Sequence, residues 1–327
     1  MTKVTCSVPA WRFEKFGVPF PADWEVNYVP LPYTTAQLSA ACKGADFLFV
    51  GSVDAVEAAV FMENPQLKLA HVEGVGYDRV DVEAAKAAGI RVCNNRATNN
   101  GAVAEHTIGL MLAAMRRTAW CTAGILQDGF AACQKEQRAQ GSCEIGGKHI
   151  GLVGIGAIGR EVAKRLSSWD VKISYYDAFR PGPEAEQELG VEYLPFDELV
   201  KSCDIISMHV PVLPSTVHMM GEAQFKAMKP TAYLINAARG EVVDQDALAA
   251  ALESGEIAGA ALDTLSPEPA PRDLPLLNMS EQAQKRLTLT PHIGGTTDEA
   301  FIRMLKGAIG NFQRVLAGEE PVNVVNA

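Results

Sequence analysis

The chain has 327 residues, enough for two domains, and its 48% hydrophobic and 21% charged content is ordinary for a globular protein. The formal net charge is −10 and no run of lysine and arginine occurs, so we expect no nucleic-acid partner. Seven scattered cysteines, no signal-peptide pattern and no apolar run of about 18 residues predict a cytoplasmic protein with no disulfide framework, no metal site and no membrane association.

Apolar, strand-like runs alternate with helical patterns along the first third of the chain. Alternation of this kind predicts a parallel sheet with helices on its faces, and burial on both faces explains why the strands read as continuous apolar runs. The strand candidates are 3–8, 25–29, 47–50 and 67–71, and helical patterns lie at 35–41 and 82–88.

A long helix and an irregular connection are predicted next. Residues 103–117 favour a buried helix, because the pattern is long and Gly109 is its single glycine or proline. The polar, weakly patterned residues 127–147 predict an irregular connection. The strand alternation then restarts, with the six strands of a doubly wound dinucleotide-binding fold at 149–153, 172–176, 205–210, 233–236, 259–262 and 287–290.

The segment 149–164, HIGLVGIGAIGREVAK, carries a glycine motif at the junction of a strand and a helix. Gly154 permits a tight turn, Gly156 lets a pyrophosphate approach the backbone, and Gly159 lets the helix pack closely on the strand. The helix N-terminus then offers N–H groups to the phosphates. The motif indicates a dinucleotide site.

Asp177 ends the next strand candidate, 18 residues after the last glycine of the motif. A carboxylate at this spacing binds the ribose 2′-hydroxyl of NAD and repels the 2′-phosphate of NADP. NAD is therefore predicted as the cofactor over NADP. Arg180 is the competing feature, because it could meet a 2′-phosphate if the loop folds back.

Three polar residues follow late strands of the second half: Arg239, Glu268 and His292. Open α/β sheets bind ligands at the carboxyl ends of their strands, so these groups could converge on one cleft. An arginine directly after an apolar strand is either solvated or held there to bind an anion.

Taken together, these motifs resemble the NAD-dependent D-2-hydroxyacid dehydrogenases over nearly the whole chain. The resemblance is carried by GVGYD (74–78), VAEHT (103–107), GLVGIGAIG (151–159), HVP (209–211), INAARGEVVD (235–244), ALDTLSPEP (261–269) and TPHIGG (290–295).

The resemblance implies hydride transfer between NAD(H) and a small anionic 2-oxo or 2-hydroxy acid. His292 is implied to be the general acid/base, and Glu268 to hold its imidazole and favour the protonated form. Arg239 is implied to bind the carboxylate and carbonyl of the substrate, together with the backbone N–H groups of Val75 and Gly76.

The resemblance also implies the residues that contact NAD, with Asp263 meeting the nicotinamide carboxamide. The whole set is Val103, Gly154, Gly156, Ala157, Ile158, Gly159, Asp177, His209, Val210, Pro211, Thr216, Ala237, Ala238, Arg239, Asp263, His292, Gly294 and Gly295.

The expected fold is α/β, with two doubly wound parallel-sheet domains and a cleft between them. Residues 1–100 with 296–327 are expected to form a flavodoxin-like substrate domain, and 101–295 a Rossmann NAD-binding domain. A homodimer is expected, because relatives use the region of the 103–117 helix to dimerise.

Three points stay open. Glu73, just before the GVGYD loop, is interpreted as solvated or paired with Arg96, the alternative being that it reads a hydroxyl or cationic group on the substrate. Glyoxylate, hydroxypyruvate, pyruvate or a bulkier 2-oxo acid could be the substrate. The alternative function is an NAD(H)-sensing, corepressor-like interaction protein on the same fold.

His106 is interpreted as a satisfied core or domain-interface residue.

Overall fold

The structure is a computed structural model that describes residues 1–327. The chain divides into two compact units, one made of residues 1–99 with 296–327 and one made of residues 100–295. Each unit is built around a single parallel sheet, so the α/β class expected from the sequence is confirmed.

The sheet of the first unit has five strands in the order β2-β1-β3-β4-β5, which is the flavodoxin-like order. The strands are β1 Lys3–Cys6, β2 Glu25–Tyr28, β3 Phe47–Val50, β4 Leu69–Val72 and β5 Arg91–Cys93, and the helices between them are α1 Ala10–Lys15, α2 Thr35–Ala41, α3 Ala58–Met62 and α4 Val82–Ala87.

The sheet of the second unit has seven strands in the order β12-β11-β10-β9-β6-β7-β8. Six of them reproduce the 3-2-1-4-5-6 order of a dinucleotide-binding fold, and β12 is added at one edge. These strands are β6 His149–Val153, β7 Lys172–Tyr176, β8 Glu192–Tyr193, β9 Ile205–Met208, β10 Tyr233–Asn236, β11 Gly259–Leu262 and β12 Leu287–Leu289.

Nine α-helices belong to the second unit, and the buried face of the first, α5, packs on the sheet through Ala104, Leu110 and Met111. The helices are α5 Asn100–Arg116, α6 Thr118–Asp128, α7 Phe130–Gln140, α8 Ala157–Leu166, α9 Pro183–Leu189, α10 Phe196–Ser202, α11 Glu222–Ala227, α12 Gln245–Ser254 and α13 Glu281–Gln284, and short 3-10 turns lie at Gly240–Val242 and Pro275–Leu277.

The last helix, α14 Asp298–Leu316, belongs to the first unit and closes its core. Phe312 of this helix stacks on Phe47 of β3 with ring centroids 4.6 Å apart, and both rings are fully buried. The amphipathic face of α14 therefore supports the sheet whose carboxyl edge carries the GVGYD loop. None of the helices combines the length and the hydropathy needed to span a lipid bilayer.

The irregular connection predicted for 127–147 is wrong, because α6 and α7 occupy most of it. Helix α7 buries only Cys133, so it has no apolar stripe from which a helical period could be read. Gly129 and Gly141 bound it at φ angles of 87° and 76°, where glycine is favoured. The two-residue strand β8 was also not predicted, since so short a run carries no pattern.

Candidate active site

The glycine loop lies between β6 and α8 and leaves room for a ligand. Gly154 has a φ of 102°, and a Cβ there would lie 2.7 Å from the carbonyl oxygen of His209. A Cβ on Gly159 would overlap the carbonyl oxygen of Gly154, so the helix packs on the loop through this glycine. A Cβ on Gly156 would meet nothing within 4 Å, directly before the first turn of α8. The loop thus fits a pyrophosphate at the helix N-terminus.

Asp177 follows β7 and is fixed beside the glycine loop. One carboxylate oxygen accepts the N–H of Ile155 at 2.8 Å, and the other accepts the N–H of Phe179 at 2.9 Å. A carboxylate can accept about four hydrogen bonds, so both oxygens keep capacity for a ribose hydroxyl. The residues present therefore fit a dinucleotide: the glycine loop has room for its pyrophosphate, and Asp177 can accept from a ribose hydroxyl.

Arg180, the possible 2′-phosphate ligand, is bound elsewhere within the unit. Its Nε and Nη2 atoms donate to the two carboxylate oxygens of Glu186 in α9, at 2.6 and 3.0 Å. Its guanidinium also stacks on the ring of Tyr193 at 4.9 Å. Tyr175 donates its hydroxyl to the same carboxylate at 2.6 Å. The guanidinium of Arg180 is thus already bound to Glu186 in a bidentate pair.

The HVP segment after β9 forms a turn closed by Thr216. The Thr216 hydroxyl donates to the carbonyl oxygen of Pro211 at 2.6 Å and accepts the N–H of Leu213 at 2.8 Å. His209 contacts the Ser207 hydroxyl through Nε2 at 2.9 Å, and burial lowers the pKa of His209 to about 4. This imidazole is therefore neutral at pH 7.

The loop after β10 carries Arg239 and is shaped by Asn236, which sequence reasoning missed. The buried Asn236 side chain donates to the carbonyl oxygen of Arg239 at 2.8 Å and accepts the N–H of Ala238 at 3.0 Å. Arg239 itself donates from Nη1 to the carbonyl oxygen of Ala238 at 2.7 Å. An asparagine at a strand end, before a short loop, is the local signal that could have indicated this turn.

Gly240 brings the Arg239 loop against the loop that leads to Glu268. A Cβ on Gly240 would overlap the carbonyl group of Leu265 and lie 2.5 Å from the backbone nitrogen of Ser266. This close contact fixes the backbone of Arg239 relative to the loop that follows β11.

His292 and Glu268 form a hydrogen-bonded pair. The Nδ1 atom of His292 lies 2.8 Å from both carboxylate oxygens of Glu268, and the two side chains are 31% and 33% exposed. Because an ionised carboxylate only accepts, Nδ1 carries a proton and donates it to Glu268. Proton exchange with a bound molecule is then left to Nε2, and the partial exposure of both side chains leaves the pair accessible to it.

Asp263, after β11, fixes the backbone of the loop that carries His292. Its Oδ1 accepts from the Thr290 hydroxyl at 2.5 Å and the Ile293 N–H at 2.9 Å, and its Oδ2 accepts the Gly294 N–H at 2.8 Å. Burial alone would raise the pKa of Asp263, but hydrogen bonds from His106, Thr290 and the two backbone N–H groups lower it to about 2. Asp263 is therefore ionised, and both of its carboxylate oxygens accept hydrogen bonds from within the protein.

The remaining residues implied to contact NAD also belong to the second unit. Val103 is buried in α5, Ala157 and Ile158 form the first turn of α8, and Val210 belongs to the HVP turn. The others lie in loops of this unit, and they are Ala237 after β10 and Gly295 after β12.

Val75 and Gly76 belong to the first unit and follow β4. Asn94 donates its side-chain N–H to the carbonyl oxygen of Val75 at 2.6 Å, and the N–H of Asn95 donates to the carbonyl oxygen of Gly74 at 2.9 Å. These bonds hold the loop from the β5 side. Neither asparagine was identified from the sequence as a supporting residue.

The interpretation of Glu73 as solvated or paired with Arg96 is wrong. Glu73 is 2% exposed, and its carboxylate accepts from Nη1 of Arg12 at 2.5 Å. Arg12 stacks its guanidinium on Phe301 of α14 at 4.6 Å. The second carboxylate oxygen of Glu73 is buried without a hydrogen-bond partner, so this side chain is bound to Arg12 and closed to solvent.

Comparison with known proteins places this arrangement among dehydrogenases. Residues 108–294 match the family model described as D-isomer specific 2-hydroxyacid dehydrogenase, NAD binding domain. The glyoxylate reductase of Thermofilum pendens is 40% identical over 295 residues, which span 90% of this chain and 85% of that protein. The D-3-phosphoglycerate dehydrogenase of Mycobacterium leprae is 37% identical over 302 residues, which span 92% of this chain and 55% of that protein.

Solved structures give the same result. The TT0316 protein from Thermus thermophilus has a TM-score of 0.86 at 32% identity, covering 99% of this chain and 100% of that one. The NAD-complexed D-isomer specific 2-hydroxyacid dehydrogenase from Lactobacillus delbrueckii ssp. bulgaricus has a TM-score of 0.77 at 28% identity, with 100% of each chain covered.

Proposed function

Because this chain belongs to the D-isomer specific 2-hydroxyacid dehydrogenases, an NAD-dependent oxidoreductase family that acts on CH–OH groups, we propose that it interconverts a small 2-oxo acid and its 2-hydroxy acid. The observation that carries the proposal is the His292–Glu268 pair, at the carboxyl edge of a sheet whose other strand ends hold a dinucleotide loop and an arginine. Residues 100–295 would bind the cofactor and carry Arg239 and the His292–Glu268 pair, and residues 1–99 with 296–327 would form the substrate domain.

The acid/base work is assigned to His292. When bound, NADH supplies the hydride that reduces the carbonyl carbon. Nε2 of His292 donates a proton to the carbonyl oxygen as negative charge develops there, and it accepts that proton in the reverse direction. Glu268 keeps the ring oriented by holding Nδ1–H, and its charge stabilises the imidazolium form.

Binding of the substrate carboxylate is assigned to Arg239 and to the N–H groups of Val75 and Gly76. A guanidinium matches a carboxylate in a bidentate manner, and its fixed positive charge also stabilises developing negative charge on the carbonyl oxygen. Asn236 and Gly240 serve this function indirectly, because they fix the backbone on which the arginine stands.

We propose that the substrate is small and carries no phosphate. Arg12, a half-buried cation of the first unit, is paired with the buried carboxylate of Glu73, which lies two residues before Val75. A phosphorylated acid would need a cation that is not already paired. Glyoxylate leads the candidates, since the relative from Thermofilum pendens is named for that activity, and hydroxypyruvate and pyruvate follow.

We propose NAD as the preferred cofactor over NADP. Asp177 follows β7 and accepts the N–H of Ile155 in the glycine loop, and a carboxylate at this position of the fold repels a 2′-phosphate. Arg180, which could offset that repulsion, is engaged by Glu186 and Tyr193. NADPH should therefore be used less well than NADH.

We propose a homodimer, because α6 and α7 present large apolar side chains to solvent. Leu126, in the last turn of α6, is 83% exposed, and Phe130, the first residue of α7, is 64% exposed. Exposed apolar side chains grouped in this way mark association surfaces. Light scattering should give twice the monomer mass for the native chain and a smaller mass for Leu126→Glu; a monomer at working concentration would overturn this proposal.

The test of the function is NADH oxidation, followed by absorbance, over a panel of 2-oxo acids graded by size and charge, with NADPH run in parallel. Turnover of glyoxylate or another small acid with NADH is expected. Tight NADH binding with no turnover of any acid would contradict the proposal and favour the NAD(H)-sensing alternative.

A further inference from the structure

His106 lies in α5, outside the strand ends that carry the reacting groups, yet it contacts their supporting network. Its Nε2 atom lies 2.9 Å from the Thr290 hydroxyl oxygen and 3.2 Å from Oδ1 of Asp263. All three residues belong to the second unit. The side chain of His106 is 21% exposed, so the contact is partly shielded from water.

The direction of these hydrogen bonds can be worked out. Thr290 and Asp263 have oxygens 2.5 Å apart, which requires a proton between them, and an ionised carboxylate cannot supply it. Thr290 therefore donates to Asp263. The Thr290 oxygen then has only lone pairs left for His106, so Nε2 of His106 must carry a proton and donate it.

The network acts on both sides of His292. Thr290 precedes it and Ile293 and Gly294 follow it, and all three are bonded to the Asp263 carboxylate. His292 itself has a φ of 54°, in the left-handed region that a non-glycine residue adopts only with backbone strain. Such a backbone persists only where its surroundings hold it.

His106 also touches the turn directly. A Cβ on Gly294 would lie 3.1 Å from Cδ2 of His106 and 2.9 Å from Oδ2 of Asp263. The imidazole edge thus packs on the glycine that ends the His292 turn. The turn that carries His292 is therefore held both by the hydrogen bond from His106 to Thr290 and by the packing of His106 on Gly294.

We propose that His106 is a positioning residue for the reaction: through Thr290 and Asp263 it holds the left-handed backbone of His292 so that the imidazole stays aligned with Glu268 and its substrate. This inference rests on the proposed function, since it assigns His292 the proton transfer. It gives α5, a buried scaffold helix, a direct part in the alignment of the acid/base group.

The test compares three variants with a matched control. His106→Leu keeps bulk and removes the donor, His106→Gln restores an N–H near the position of Nε2, and Thr290→Val removes the acceptor. The control is His149→Leu, because His149 is also a half-buried histidine bonded to a hydroxyl, Ser174 at 2.8 Å, but lies at the start of β6.

We expect His106→Leu to lower kcat about tenfold or more, while the KM for the 2-oxo acid and the Kd for NADH change less than about twofold. His106→Gln should recover most of kcat, and the double variant His106→Leu/Thr290→Val should be no slower than Thr290→Val alone, since both changes break one network. His149→Leu should alter the melting temperature and leave kcat unchanged.

Native kcat in His106→Leu, failure of glutamine to rescue, or fully additive effects in the double variant would overturn the proposal. If His106→Leu does not fold, the glutamine and Thr290 variants carry the test. An error in the proposed function itself gives a different result, because the native chain would then turn over no 2-oxo acid.

Discussion

Replacing Gly240 with alanine should impair the reaction much more than it weakens cofactor binding. The added Cβ would overlap the carbonyl group of Leu265 and lie 2.5 Å from the nitrogen of Ser266, against an ordinary contact of at least 3.4 Å. Both neighbours are backbone, so one of the two loops must move by about 1 Å, since no side chain can rotate away. One loop carries Arg239 and the other leads to Glu268.

A displacement of about 1 Å between groups that act together costs on the order of 10²-fold in rate. We therefore expect Gly240→Ala to lower kcat/KM about 100-fold, with a loss of about 1–3 kcal/mol in the free energy of unfolding from overpacking. NADH affinity, measured by fluorescence, should fall by far less than kcat/KM, because the glycine loop after β6 is untouched and only the contacts of Ala237, Ala238 and Arg239 lie in the displaced loop.

Gly310→Ala is the matched control, because a Cβ there meets nothing within 4 Å and the position is helical. It should keep native kcat/KM and gain up to about 1 kcal/mol of stability from helix propensity. If Gly240→Ala retained more than half of the native kcat/KM in a folded protein, the argument that this close approach fixes Arg239 would be refuted.

Three further results are expected. Glu268→Gln keeps an acceptor for Nδ1 of His292 but loses the charge, so kcat should fall about tenfold with little change in KM, and unchanged steady-state kinetics would count against the pair. Asp177→Ala should weaken NADH binding about 10–100-fold and raise the NADPH/NADH ratio of kcat/KM, with an unchanged ratio counting against the ribose contact. His71 is fully buried, and burial lowers its pKa to about 4, below the ~6.5 of the unfolded chain. The unfolded state therefore takes up the proton first, and the stability present above pH ~6.5 should fall by about 2.5 kcal/mol by about pH 4.5; the urea midpoint of the native chain should fall more steeply on acidification than that of His71→Leu, and parallel curves would refute this.

The features that the sequence predicted well are those with a local signature. The apolar runs that became β3, β6, β7, β10 and β11 are confirmed at their predicted bounds, because buried parallel strands are continuously apolar. The glycine motif has its signature in consecutive residues, and the structure places Asp177 beside it. Helix α7 had no such signature, since almost every side chain on it faces solvent.

The supporting contacts of the site could not be read from the sequence, because they join residues far apart in the chain. Arg12 and Glu73 are separated by 61 positions, and His106 and Thr290 by 184. Nothing in the neighbouring residues specifies such a partner; it follows from the sheet order and from the placement of α1 and α5. Glu73 was misjudged for this reason, since glutamate is usually exposed unless paired.

The most direct test of the account is single-turnover hydride transfer, followed as loss of NADH absorbance in a stopped-flow instrument. The native chain is compared with His292→Asn, using the 2-oxo acid that the panel selects. We expect native transfer to be fast and the variant to be slower by about 10²–10⁴-fold, with NADH affinity preserved. Transfer at the native rate in a folded His292→Asn protein would contradict the assignment of proton transfer to this residue.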